Sequence, residues 1–289
     1  MKLQTPVLPG KQPFEISLDD RVLLLGSCFA DEIGGRMSAG GLTVCANPFG
    51  TLYNPLSILR SLERLQDGRP FDEGECVRLG AGMELTGSFW HHTSFARPDA
   101  GEFLKVANEA LEQACSFWRG CDTVVVTLGT AWVWERDGQV VANCLKRDAK
   151  EFVHRRLTVE ETLSTLRSVA RLCAGKRLIW TVSPVRHLWD GAHSNQVSKA
   201  TLLLALDWLL EGTGGECGVY FPAYEIVLDE LRDYRFFADD MTHPTALAVG
   251  CVWERFCDAF IPESDREAMS RAVKASRAAA HRPLFGKGD

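Results

Sequence analysis

The apolar positions of this chain fall into short unbroken runs separated by longer stretches of helical periodicity. Val22–Leu25 is apolar throughout, too short for a helix and branched enough for a buried parallel strand. Gly26 allows a tight exit. A helix is predicted over 29–38, with Asp31 and Glu32 in its first turn, where negative charge suits the positive end of the dipole. Leu42–Ala46 predicts a second short strand, and Asn47-Pro48-Phe49-Gly50 is turn chemistry. Pro55 marks a helix start, and Ile58, Leu59, Leu62 and Leu65 carry a helical stripe up to Gln66. Phe103, Val106, Ala110, Ala114 and Phe117 predict an amphipathic helix from Glu102 to Trp118, and Thr123–Gly129 is the clearest buried strand. A helix over 158–173 opens on the capping-box pattern Thr158-x-x-Glu161. Then come a strand at Arg177–Val182, a helix at 196–210 and a last strand at Gly218–Phe221. A helix follows His243-Pro244 to about Phe260, and an Ala-, Arg- and Lys-rich helix occupies about 263–281.

Two stretches leave this alternation. Residues 67–100 carry Gly68, Gly74, Gly80, Gly82 and Gly87, two prolines and Trp90-His91-His92, and read as an inserted loop over one face. Trp132–Val141 alternates around Asp137-Gly138, which predicts a β-hairpin over 131–142. Residues 1–20, with Pro6, Pro9 and Pro13, read as an extended lead-in. About five strand–helix alternations at crossover lengths predict an α/β fold, a parallel sheet with helices on both faces. One domain is expected over 1–289, its core at about 20–262 and a helical tail at 263–289.

A chain of 289 residues at 46% hydrophobic content has enough apolar material for a sizeable core. The net charge of −6 speaks against a nucleic-acid surface or an anionic membrane as partner. Ten cysteines form no C-x-x-C pair and read as small buried hydrophobes in a reducing compartment. Met1–Pro6 has no apolar signal core and no run reaches membrane-spanning length, so a cytoplasmic address is expected. No cofactor is expected: no G-x-G-x-x-G follows a strand and no G-x-x-x-x-G-K-[ST] occurs. No metal-ligand spacing supports a zinc site from His91, His92 and His187.

Ser27 sits where the first strand hands over to a helix N-terminus. It reads either as a helix cap or as a hydroxyl held at the carboxyl edge of the sheet, where ligands bind in open α/β folds. At the far end of the chain, Asp239-Asp240-Met241-Thr242-His243 sets a carboxylate three residues before a histidine. Gly26-Ser27-Cys28-Phe29-Ala30 resembles the signature of the GSCFA family, itself similar to the SGNH (GDSL-like) hydrolases. In those an early Ser after the first strand works with a late Asp-x-x-His. Asn47–Pro55, Thr127–Thr130 and Ser183–His187 also resemble GSCFA blocks, and the resemblance spans roughly residues 20–260. It implies a flavodoxin-like three-layer α/β/α sandwich with a central parallel sheet of about five strands in the order 2-1-3-4-5.

A serine is a weak nucleophile until a base takes its proton, and a carboxylate on the far ring nitrogen fixes the tautomer of that base. The candidates are Ser27 as nucleophile, His243 as base and Asp240 as orienter, with Asp239 as the alternative orienter. Either aspartate also reads as a cap for the following helix. Cys28 is a rival nucleophile or a packed thiol, and the motif is not the G-x-S-x-G elbow. The oxyanion hole is expected from the N–H groups of Ser27 and Gly50, with Thr130 where SGNH enzymes carry an asparagine. Thr130 reads equally as a structural hydroxyl. Asn47 and Asn54 are substitutes for the missing amide, and Ser183, Arg186 and His187 are expected to face the cleft. Arg186 suits a substrate carboxylate or phosphate, or a surface salt bridge. His91 and His92 are lid candidates, and Trp132, on one hairpin face with Trp134, is a candidate for sugar stacking. The resemblance implies hydrolysis of a small acyl ester through an acyl-serine, an O-acetylated carbohydrate being one candidate. Acyl transfer to a hydroxyl acceptor is the alternative within that chemistry. A catalytically weakened glycan-binding module is the alternative from another class. The oligomeric state is left open.

Overall fold

The computed structural model describes residues 4–80 and 82–280. In chain order the elements begin β1 (Arg21–Gly26), α1 (Cys28–Ala39), β2 (Thr43–Ala46), α2 (Pro55–Asp67), β3 (Val77–Leu79) and β4 (Leu85–Gly87). They continue α3 (Ala100–Arg119), β5 (Thr123–Leu128), β6 (Trp132–Arg136), β7 (Gln139–Val141), β8 (Val153–Arg156) and α4 (Val159–Leu172). The last are β9 (Arg177–Val182), α5 (Gly191–Leu210), β10 (Val219–Tyr220), α6 (Ala223–Glu225), α7 (Ala246–Phe260) and α8 (Glu263–Ala280). α6 runs on into a π-helical segment, Ile226–Leu231.

The main sheet has five strands in the order β10-β9-β5-β1-β2, all parallel. Numbered by their own succession these are 5-4-3-1-2, the expected order read from the other edge. Strand alternation divides the side chains between two cores. Leu23, Leu25, Val124, Val126, Trp180 and Val182 face the layer of α2, α3, α4 and α5. Val22, Leu24, Val125 and Ile179 face α1 and α7, where Ile33, Met37, Val252 and Phe256 meet them. Burial on both faces is why these strands read as unbroken apolar runs rather than as alternating ones.

The structure adds to the sequence reading in three places. The 67–100 stretch is not wholly irregular: β3 and β4 pair antiparallel within it. The expected hairpin is there as β6 and β7, but β8 joins it as a third strand. Val153-His154-Arg155-Arg156 has no apolar alternation; it is held by ladder pairing to β6 and by ion pairs from Arg155 to Glu135 and Glu161. α5 starts at Gly191 rather than Gln196, on a cap with no side-chain hydrogen bond, so no capping signal marks its first turn. Residues 1–3 of the lead-in, Ala81 of the insert and 281–289 of the tail lie outside the described residues.

The Thr158 capping box is formed: its hydroxyl accepts from Glu161 N–H at 3.1 Å while Glu161 Oε2 accepts from Thr158 N–H at 2.8 Å. Thr158→Ala is therefore expected to lower stability by about 1 kcal/mol in urea titration, with the slope of the transition unchanged.

Candidate active site

Gly26 ends β1 at φ +141°, and its N–H donates to Asn47 Oδ1 at 2.8 Å while its carbonyl accepts from Leu52 N–H at 2.8 Å. This clamp brings the Asn47–Tyr53 segment against the exit of β1. Ser27 follows as the N-cap of α1, and its Oγ accepts from Phe29 N–H at 3.3 Å. Ser27 has no exposed surface, and among the described residues its hydroxyl makes no hydrogen bond to an imidazole. Here the side chain occupies its capping role.

The second half of the site is the loop between Phe237 and Thr245, closed by a bridge between Phe237 and Pro244. Within it His243 Nδ1 lies 2.6 Å from Asp240 Oδ2, and Asp240 Oδ1 accepts from the N–H groups of Thr242 at 2.8 Å and His243 at 2.9 Å. These donors, the His243 N–H first, hold the Asp240 carboxyl down at about 2. A carboxylate so fixed keeps the His243 ring in one tautomer, with Nε2 turned away from it. Neither aspartate caps α7; Thr245 does, accepting from Ala248 N–H. Arg186 joins this loop to the exit of β9. Its N–H donates to Thr242 O at 3.1 Å and its Nη1 to Met241 O at 2.9 Å. The guanidinium also lies 5.4 Å from the Phe237 ring. The loop thus sits over the carboxyl edge of the sheet, on the same side as Ser27.

The expected oxyanion donors are engaged within the protein. Ser27 N–H donates to Thr127 O at 3.2 Å and Gly50 N–H to Asn47 O at 2.7 Å. Thr130 Oγ1 pairs with Ser198 Oγ at 2.9 Å and accepts from Trp132 N–H, the structural role left open above. Gly50 stands at φ +88° with His92 packed on it; a Cβ there would meet His92 Cβ at 2.2 Å. His92 Nδ1 is 3.0 Å from Ser94 Oγ.

The two asparagines are also spoken for. Asn47 Nδ2 donates to Asp31 Oδ1, and Asn54 caps α2 by accepting from Ser57 N–H. Ser183 is buried, and its Oγ accepts from Val185 N–H. Trp132 and Trp134 stack on His154, at centroid distances of 4.7 and 4.0 Å, so that ring already occupies the face they share.

His187 is different. Its ring meets Tyr53 edge-on at 5.5 Å, and its Nε2 is covered from solvent with no partner among the described residues. Burial, with Lys199 and His243 nearby, pushes its pKa down to about 3, so it is a neutral imidazole at the rim. Sequence reading missed Lys199. Its amine is buried and donates to Gly129 O at 2.6 Å and Ser183 O at 2.7 Å, tying the exits of β5 and β9 together. Burial pushes it down to about 7. The signal was there: a lysine at helical spacing with Leu202 and Leu206 on the inward face of α5, beside the buried Asn195 and Ser198.

His91 lies apart from this rim. It is 1% exposed, its Nδ1 bonded to Ser88 Oγ at 2.8 Å and its ring packed on Phe49, Phe71, Phe95 and Phe103. Burial, helped by Arg64, pushes it from 6.5 to about 3. The unfolded chain therefore takes up a proton near pH 6.5 that the folded chain refuses until about pH 3. Stability is full above that window and falls with pH inside it, by about 1.4 kcal/mol per unit. His91→Phe is expected to reduce the slope of stability against pH between pH 6 and 4 by about one proton, read from urea titrations.

Among the described residues no group of His, Cys, Asp and Glu suits a metal ion, and no helix is long and apolar enough to cross a membrane. No curated protein matches the sequence. A family model does: that of the GSCFA family, over residues 21–256, which takes in β1, the Ser27 cap, the Asp240–His243 loop and the whole parallel sheet. The chain therefore belongs to the GSCFA family.

Proposed function

We propose that the protein is a serine esterase of the SGNH type, acting on a small acyl ester through an acyl-Ser27 intermediate. The observation that carries this reading is the Asp240–His243 pair, 2.6 Å apart, its carboxylate locked by two backbone N–H groups. Such a pair poises an imidazole to take and return a proton. In the proposed reaction Ser27 leaves its cap by a χ1 rotation and gives its proton to His243 Nε2 as Oγ bonds to the acyl carbon. The carbonyl electrons move onto oxygen, then return as the ester C–O bond breaks, and His243 protonates the departing alcohol. Water repeats the sequence and frees the acid. An alcohol in place of water gives acyl transfer by the same machinery. Closure of the site on substrate also has to free oxyanion donors that now bond within the protein, the Ser27 and Gly50 N–H groups among them.

That internal satisfaction favours a second reading, a glycan-binding module whose catalysis is weakened. A panel of p-nitrophenyl esters of rising acyl length separates the two. Turnover on the short esters, abolished by His243→Ala, supports the esterase; adding a polyol acceptor and analysing products divides hydrolysis from transfer. A folded chain with no turnover on any ester, but with saturable glycan binding, supports the module instead.

A further inference from the structure

A cavity of about 510 Å³ is lined by α2, the 67–100 insert and the hairpin. Its lining includes one face of α2, where Ser57, Arg60, Ser61 and Arg64 follow each other at helical spacing, together with Phe49, Phe71 and Trp90. The arginines here are not equivalent. Arg64 is paired with Glu75, which also receives Arg69 at 3.4 Å. Arg60 lies with its guanidinium 4.7 Å from the Trp90 ring, and among the described residues no carboxylate comes within ion-pair distance of it. Glu63 and Asp67 also line the cavity, both exposed, and neither forms an ion pair with Arg60. Partial burial already disfavours the charged form of Arg60. The two serines are 4% and 7% exposed, and neither hydroxyl has a partner among the described residues.

A guanidinium half removed from water, stacked on one face and unpaired at its edge, lacks a counter-charge. Buried hydroxyls without partners lack an acceptor. We infer that this cavity binds a small molecule through an oxyanion, a carboxylate or a phosphate, held by the N–H edge of Arg60 with Trp90 fixing the plane of the guanidinium. In the chain the cavity lining adjoins the candidate site: Phe49 precedes Gly50, and Trp90 stands two residues before the His92 that packs on Gly50. The inference does not rest on the chemistry of Ser27.

The test is thermal unfolding of the full chain in sodium phosphate, sodium acetate and sodium chloride at matched ionic strength. Phosphate or acetate at about ten times its dissociation constant is expected to raise Tm by about 3 °C over chloride. Arg60→Gln should lose the rise, while Arg69→Gln, at the exposed rim, and Ser27→Ala should keep it. A rise with phosphate alone assigns a phosphoryl ligand, with acetate alone a carboxylate ligand, and with both a site that accepts either oxyanion. No rise over chloride, or a rise that survives in Arg60→Gln, overturns the inference. Retention of the rise in Ser27→Ala keeps the result separate from the esterase reading, whichever way that falls.

Discussion

Replacing Ser27 by alanine is expected to cut ester turnover by roughly 10⁴- to 10⁶-fold while the chain stays folded. In the proposed reaction the hydroxyl forms the bond to the acyl carbon, and no neighbour would replace it. Cys28, the adjacent thiol, has its pKa pushed up by burial and by Asp31, so it is poor in the thiolate needed for attack. The structural effect of the change is small by comparison. Ser27 caps α1 through a single long contact to Phe29 N–H at 3.3 Å. Losing a cap costs about 1 kcal/mol, a Tm drop of about 2–4 °C in a chain of this size. His243→Ala should lower turnover to a similar level, and the double variant should fall no further, because in the proposed reaction the two residues act as one unit. Reductions that multiply in the double variant would mean the two residues act independently. The measurements are steady-state kinetics on a p-nitrophenyl ester and melting curves on the same preparations.

Gly26→Ala is expected to be the most damaging single substitution for stability, by about 4 kcal/mol. Two effects add. At φ +141° the backbone is one that L side chains rarely adopt, and a Cβ would stand 2.0 Å from Thr127 O, an atom of the neighbouring strand. Relief requires β1 and β5 to part at the sheet centre, where both strands are buried. The same movement would break the bonds from Gly26 N–H to Asn47 and from Leu52 N–H to Gly26 O. Urea titration should show the midpoint falling with the slope kept. A change under about 1 kcal/mol would show that the strand exit is looser than its packing indicates.

The parallel strands were legible because burial on both faces removes polar positions: Thr123–Leu128 and Arg177–Val182 match the expected strands within one residue. Helices with chemical caps were legible too, as at Pro55 and Thr158. β8 was not, because its place depends on pairing to β6 and on ion pairs, neither of which leaves an apolar pattern. Ser27 at a strand exit and Asp240 three residues before His243 could be read from spacing alone, since each depends on local geometry. The partners of Thr130, Asn47, Arg186 and Lys199 could not. Each bonds to a segment distant in the chain: Ser198, Gly26, Met241 and the Gly129 and Ser183 carbonyls. Residue type shows that such a group needs a partner, but only the packing of loops at the sheet edge decides which one.

Covalent capture is the most direct check on whether the hydroxyl at the β1 exit and the histidine of the far loop share a proton. The protein would be treated with diethyl p-nitrophenyl phosphate, digested, and the modified residue located by mass spectrometry. A diethylphosphoryl group on Ser27, with matching release of p-nitrophenolate and loss of both in His243→Ala, is the expected result. A folded chain that leaves Ser27 unmodified, or carries the label on Cys28 instead, would contradict it.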